Sequence, residues 1–175
     1  TNVTCFEGND GVLSGMSSIG GANTTYLYSI NGSLPLVPAL PYYPNLSAGQ
    51  FTVLAEDING CQGTTTITIS ESAPINPNIS ILSLLTCSGI NDGEIISIPT
   101  GGSTSSFDFS WSNGDSDIAV SSSTSPSLSA GQYSVIVADA NGCLGFDTIA
   151  LVPSNTLSVD FNNTSVSCNG GSDGT

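Results

Sequence analysis

Leu128-Ser129-Ala130-Gly131-Gln132 runs into Tyr133-Ser134-Val135-Ile136-Val137-Ala138 and then Asp139-Ala140-Asn141-Gly142-Cys143. Leu128 to Gly131 reads as a corner. Gln132 to Ala138 alternates, which puts Tyr133, Val135 and Val137 on one face, the period of a half-buried strand. Asn141-Gly142 is a tight hairpin turn, because both residues tolerate positive φ, and Gly145 to Leu151 returns as the next strand. The stretch also occurs earlier in the chain. Leu46-Ser47-Ala48-Gly49-Gln50 matches its opening letter for letter, and Asp57-Ile58-Asn59-Gly60-Cys61 matches its end.

The offset is 82 residues, and other positions keep it: Cys5 and Cys87, Cys61 and Cys143, Asn9-Asp10-Gly11 and Asn91-Asp92-Gly93. A third copy opens at Thr164, with Ser165-Val166-Ser167-Cys168 and then Ser172-Asp173-Gly174. A fixed period of this kind sets the architecture before any other signal is weighed. The chain reads as a segment of a tandem array, divided at residues 1–73, 76–153 and 156–175.

Within the second repeat, Ile79 to Leu85, Glu94 to Ile98, Phe107 to Trp111 and, more weakly, Ile118 to Ser122 read as further strands, with Asn91-Asp92-Gly93, Gly101-Gly102 and Asn113-Gly114 as turns. About seven short strands in about 80 residues is the count of an immunoglobulin-like sandwich. The expected fold is therefore all-β: tandem immunoglobulin-like β-sandwich modules of about 80 residues, arranged end to end. In the first repeat Tyr26, Tyr28 and Ile30 take the places of Phe107, Phe109 and Trp111, as core residues. Its middle carries Pro35, Pro38, Pro41 and Pro44, which marks an edge or a polyproline-like loop. Tyr42-Tyr43 there is the one candidate carbohydrate platform. Pro74 and Pro77 make Glu71 to Asn78 a stiff link.

The chain has no Lys, Arg or His, and its 14 acids leave a net charge of −14. Contacts to a phosphate backbone need Lys or Arg, so nucleic acid is excluded as a partner, and anionic membrane surfaces repel the chain. No Ser-His-Asp triad, Schiff base, phosphate loop or anion fork can be built. The chain is not expected to be an enzyme. Trypsin-like proteases find no cleavage site, which suits an exposed outer surface, and no apolar run is long enough to insert in a membrane.

Five cysteines in two matched pairs plus one suggest an oxidising compartment. Two pairings respect the period. One closes each repeat on itself, Cys5–Cys61 and Cys87–Cys143. The other crosses the junction, Cys61–Cys87 and Cys143–Cys168. The first is the expectation, because each module then closes its own loop, and Cys168 then pairs with a residue beyond the segment. Free buried thiols are the third reading.

Cysteine, Asp-Gly, a strand, Gly-Gly, an aromatic strand ending in Trp111-Ser112-Asn113-Gly114, then Leu128 to Tyr133, Val135-Ile136-Val137 and Asp139 to Cys143 together resemble the SprB repeat. The resemblance covers both repeats and the start of a third. The first repeat departs from it with Ile30 in the place of Trp. It implies a secreted bacterial cell-surface protein, in an adhesin or gliding-motility filament, with no catalytic residues to carry over.

Two kinds of site remain. With the within-repeat pairing, Glu7, Asn9 and Asp10 approach Asp57 and Asn59, and Asn91 and Asp92 approach Asp139 and Asn141, an oxygen set suited to calcium. The alternative is turn chemistry at each residue. Asn-X-Ser/Thr sequons stand at Asn2, Asn23, Asn31, Asn45, Asn78, Asn162 and Asn163. Asp147-Thr148-Ile149 resembles a bacterial O-glycosylation signal at Thr148, and Ser121 to Ser125 is a further candidate acceptor run or a solvated loop. Three functions compete: a structural and adhesive array, giving reach and multivalent contact with surfaces or glycans; a filament subunit whose Thr156 to Ser167 strand completes a sheet in another copy; and a carbohydrate-binding module.

Overall fold

A computed structural model describes residues 1–20, 25–32, 37–38, 42–87, 89–154, 158–163 and 165–172, with the backbone alone at 37, 38 and 42. The fold is all-β, made of immunoglobulin-like sandwich units. Among the described residues the strands are β1 Gly11–Ser14, β2 Tyr26–Ile30, β3 Val37–Pro38, β4 Tyr42–Leu46, β5 Gly49–Asp57, β6 Gln62–Ile69, β7 Ala73–Asn76, β8 Ile79–Ser83, β9 Gly93–Ser97, β10 Thr100–Gly102, β11 Phe107–Trp111, β12 Ser116–Val120, β13 Ser123–Leu128, β14 Gly131–Asp139 and β15 Leu144–Leu151.

The second repeat packs the sheet β12-β11-β14-β15 against β13-β9-β8. Its core joins Phe107, Phe109 and Trp111 of β11, Val135 and Val137 of β14, Ile95, Leu128 and Leu151. Strand alternation explains the choice: Asp108 and Ser110, between the three aromatics, face out. The Tyr133 hydroxyl donates to the Ser129 carbonyl at 2.9 Å, the corner-fixing bond of immunoglobulin-like sandwiches. Trp111 Nε1 donates to Ser123 Oγ at 2.8 Å, and Ser123 Oγ donates to Asp117 Oδ2 at 2.6 Å. Without those partners a buried indole N–H would cost about 1–3 kcal/mol. Ser123 and Ser125 are thus buried members of β13, while Ser121 and Ser122 are exposed and precede the strand.

The first repeat has the same order in β3-β2-β5-β6, with β1 paired to β4. Registers coincide across the 82-residue offset: Gly49↔Ile69 and Gly131↔Leu151, Gly11↔Leu46 and Gly93↔Leu128. Its core is smaller: Val3, Leu13 and Ile69, with Met16, Ile30, Tyr43, Leu46 and Phe51 packed on them. Phe51 replaces Tyr133 and has no hydroxyl for the corner bond. The proline-rich middle does form an edge through β4. Pro35 and Pro41 lie outside the described residues.

Two expectations are corrected. Glu71 to Asn78 is no mere link, since Ala73–Asn76 is β7, paired with β10, with Ile75 in the second core. Pro74 is compatible because β7 is a short edge strand. Gly101-Gly102 is correspondingly a strand that takes β7 as well as a turn.

Candidate functional site: the joint between repeats

Cys5 is disulfide-bonded to Cys143, 138 residues away, with Cα atoms 5.4 Å apart. Neither pairing considered from the sequence forms between the described cysteines, and Cys61, Cys87 and Cys168 are free and exposed. Geometry explains the correction. The backbone N–H of Val3 donates to the Ser70 carbonyl at 2.9 Å, so Cys5 lies beyond the end of β6. Cys61 precedes β6 at its other end. Eight residues of strand span about 26 Å, whereas a disulfide needs Cα atoms within about 7 Å. The second repeat is built alike: Leu85 bridges Pro153, which puts Cys87 at the far end of β15 from Cys143. Each repeat carries its two cysteines at opposite poles, so a bond can form only between repeats.

Several contacts seat the joint. Ser72 Oγ donates to the Thr4 carbonyl at 3.0 Å, and the Glu7 N–H to Glu71 Oε2 at 2.7 Å. Asp139 organises the opposing hairpin. Its Oδ1 accepts from the N–H groups of Asn141 and Cys143 at 3.0 Å each, and its Oδ2 from the Ser103 hydroxyl at 2.7 Å and N–H at 3.0 Å. Burial raises the Asp139 pKa, but these donors, the Ser103 hydroxyl foremost, outweigh it and hold the carboxyl below its ordinary value. Gly145 has no room for a side chain: a Cβ there would sit 2.5 Å from the Ile75 carbonyl oxygen. Gly101 is tighter, with the Pro74 carbonyl oxygen 1.9 Å from a Cβ position at φ +83°.

Among the described residues nothing covers the corresponding face of the first repeat. No described strand stands there in the place of β7. Instead there is a groove of about 720 Å³, floored by Leu13, Met16, Tyr28 and Val53, with Cys61 and Gly63 at its side. Every residue of β6 before Ile69 is exposed, whereas Gly145 and Leu151 of β15 are buried and Ile149 packs on the core.

The oxygen sets expected to meet within each repeat do not. Asp10 accepts from the Thr4 hydroxyl and N–H, and Asp92 from the Thr86 hydroxyl at 2.7 Å and N–H at 3.2 Å. These bonds, the hydroxyl first, lower both pKa values. Asp57 accepts from the N–H groups of Asn59 and Cys61 at the opposite pole from Glu7, Asn9 and Asp10. Asn91 likewise lies in the loop after Cys87, away from Asp139 and Asn141. Among the described residues no three His, Cys, Asp or Glu side chains cluster as metal ligands.

The sequons divide. Asn31 and Asn78 take positive φ, 51° and 49°, and have structural bonds: Asn31 Oδ1 accepts from the Thr52 N–H at 2.9 Å, and Asn78 Nδ2 donates to the Ile98 carbonyl and to Thr100 Oγ1. Asn45 has φ 60° within β4, between Tyr43 and Leu46, where the pairing with β1 shifts register. Asn2 Oδ1 accepts from the Ser70 N–H at 3.2 Å. Thr148, Asn162 and Asn163 are exposed; Asn23 lies outside the described residues. Tyr43 is half-buried and packs on the small core, so it offers no platform; nothing is described of the Tyr42 side chain. In the third copy Thr156, Thr164, Asp173 and Gly174 lie outside the described residues, and the described part of Thr156 to Ser167 holds no strand. Its Cys168 loop is familiar: the Gly171 N–H donates to the Cys168 carbonyl at 2.9 Å, as Gly8 does to Cys5 at 3.1 Å.

No protein-family model matches the chain, and no curated protein does. Solved structures match it at the level of fold. A C-terminal 282-residue fragment of intimin, solved with the intimin-binding domain of the translocated intimin receptor, aligns at 14% identity and TM-score 0.41 over 75% of this chain and 52% of that one. The chain thus spans about half the length of that fragment. The amphioxus IgVJ-C2 molecule aligns at 14% identity and TM-score 0.31, covering 83% and 97%. Fibronectin(III)-like modules of Clostridium thermocellum CbhA align at 11% and 0.33, covering 92% and 94%. The likeness is to immunoglobulin-like and fibronectin III-like sandwiches and extends to fold alone.

Proposed function

We propose that this chain is part of an extracellular array of sandwich modules that acts by reach and multivalent contact, as a structural and adhesive protein rather than an enzyme. The observation that carries the reading is the Cys5–Cys143 bond, which ties one repeat to the next instead of closing either. A clamp across a junction opposes bending and extension there, which is useful to a stalk and irrelevant to a catalyst. The absence of Lys, Arg and His supports it by removing most catalytic chemistry and every site for trypsin-like proteases. The motif resemblance to SprB repeats points the same way, to a bacterial cell surface, with surfaces, glycans or further modules as partners. Immunoblotting of the source cells tests this. The reading expects a chain far larger than 17.6 kDa on reducing, denaturing gels, accessible to antibody on intact cells. A 17.6 kDa species confined to the cell interior would contradict it.

A further inference from the structure

The outer face of the second repeat's larger sheet carries apolar side chains that no core uses. On β14 and β15 Val135, Val137, Ile149 and Leu151 turn to the core, and their alternates point out. Ile136 stands directly opposite Phe146, and Ala138 opposite Leu144. Ile136, Phe146 and Leu144 are 45%, 65% and 68% exposed. Hydroxyls border them: Ser110 of β11 lies opposite Ile136, and Thr148 follows Phe146 on the same face of β15. The first repeat keeps the strands and registers but not this surface. At the equivalent positions, 82 residues earlier, Leu54 pairs with Thr64 and Glu56 with Gln62. The face is also lateral. Its strands run between the Cys143 pole and the Cys87 pole, so a module joined at either pole lies at the end of the face and leaves it uncovered. A contiguous exposed apolar patch rimmed by polar groups marks a binding surface.

Charge and size select the occupant. Among the outward residues of β11, β14 and β15, Asp108 is the one carboxylate, and its Oδ1 already accepts from the Ala119 N–H at 2.9 Å. The chain has no Lys, Arg or His and a net charge of −14, so it repels anionic polymers. Three exposed side chains offer on the order of a few hundred Å², below the roughly 800 Å² per partner of a stable protein interface. A second copy of the chain would bring its own −14 as well. The face suits a neutral ligand that is flat and apolar at its centre with hydroxyls at its edge. A β-1,4-linked glucose chain has that form: its linkages and ring hydroxyls are equatorial, so ring C–H bonds make up its two faces. We propose that this face binds a neutral β-1,4-linked glucan, with Phe146 as the stacking platform. The ring C–H bonds lie on the π-face of Phe146, Ile136 and Leu144 extend the apolar contact, and the sugar hydroxyls reach Ser110 and Thr148.

The proposal rests on the adhesive reading and gives it a ligand class. It also gives the two repeats different tasks, because the threonine-rich face of the first repeat lacks the aromatic platform. One small face binds weakly by itself. Along an array each further contact is intramolecular, and avidity then exceeds the affinity of any single face. The missing cations fit this reading too: a surface that repels anionic polymers leaves neutral glycans as those it can hold.

The test uses the full 175-residue chain with Cys5–Cys143 formed. Microcrystalline cellulose should deplete it from solution, and calorimetric titration with cellohexaose should saturate, while α-linked maltohexaose gives no heat of binding. Phe146→Thr, which installs the residue of the first repeat, should weaken cellohexaose binding about tenfold, the scale of one lost aromatic contact. Phe146→Trp should retain it, and Thr64→Ala should leave it unchanged. Phe146 is exposed, so Phe146→Thr should melt with the parent, which separates lost binding from lost folding. No binding to cellulose or cellohexaose, equal binding of maltohexaose, or equal binding by Phe146→Thr would each overturn the proposal. So would a dimer in sedimentation that Phe146→Thr dissolves, since the face would then join copies of the chain. Each of these results leaves the array reading standing, and the size of the cellular chain tests that separately.

Discussion

Two equivalent glycines should respond oppositely to the same substitution. In Gly145→Ala the new methyl sits 2.5 Å from the Ile75 carbonyl oxygen and 2.7 Å from Ile75 Cγ2. Strand β7 must retreat by several tenths of an ångström, pulling Ile75 from the core, and overpacking of this kind costs about 1–3 kcal/mol. In Gly63→Ala the methyl enters open space, and the loss of unfolded-chain freedom stabilises by about 0.4–1 kcal/mol. The two variants should therefore differ by roughly 1.5–4 kcal/mol. For a chain of this length each kcal/mol moves Tm by about 2–4 °C, so Gly145→Ala should melt roughly 2–12 °C below the parent and Gly63→Ala at or slightly above it. Dilute samples with Cys61, Cys87 and Cys168 changed to Ser keep the comparison monomeric. Equal shifts in the two variants, or a harmless Gly145→Ala, would refute the account of β7 as a packed strand.

Breaking the joint should be costly. Cys5→Ser opens a loop of 138 residues, which the chain-entropy model values at about 5 kcal/mol; thermal melts with and without reductant should converge for the variant and differ by many degrees for the parent. Asp139→Ala leaves two N–H groups of the hairpin and the Ser103 donors without their acceptor and should lower stability by about 1–3 kcal/mol, read from urea midpoints. Its pH dependence has a fixed sign. A carboxylate with a lowered folded pKa stabilises above its unfolded value, near 3.9, and that contribution disappears as pH falls through the folded value. The stability gap between the parent and Asp139→Asn should therefore narrow from pH 6 to pH 2.5; a constant or widening gap would contradict the hydrogen-bond assignment. Ala119 has φ 56°, so Ala119→Gly should be neutral or stabilise by up to about 1 kcal/mol, and a loss above that would count against the local geometry.

Much of the fold was legible because strand alternation is a local signal. Phe107–Trp111 forms as the strand its aromatics mark, and the Leu128 to Cys143 stretch folds as corner, strand and hairpin in both repeats. What the sequence concealed depends on other parts of the chain. Ala73–Asn76 looks like a linker because Pro74 and Pro77 flank Ile75, and its status as a strand appears only when Gly101, Gly102 and Gly145 are seen making room for it. Ser123 and Ser125 look solvated because they are hydroxyls; Trp111 at the end of β11 and Asn113 in the turn after it reach them. The glycines kept at Gly63 and Gly145 were the available sign that something crosses that face. The Cys5–Cys143 disulfide is not legible in the period. A repeat fixes which residues are equivalent, but it does not say whether a pair closes within one unit or between two. The poles of the sandwich decide that, and the same poles separate Glu7, Asn9 and Asp10 from Asp57 and Asn59.

The central claim is that the cysteines link repeats instead of closing them. Digestion of the unreduced chain with an Asp- or Glu-directed protease, which the 14 acids permit, followed by mass spectrometry of linked peptides, tests it most directly. The account requires the peptides of Cys5 and Cys143 to travel together and separate on reduction, while linkage of Cys5 to Cys61 and of Cys87 to Cys143 would contradict it.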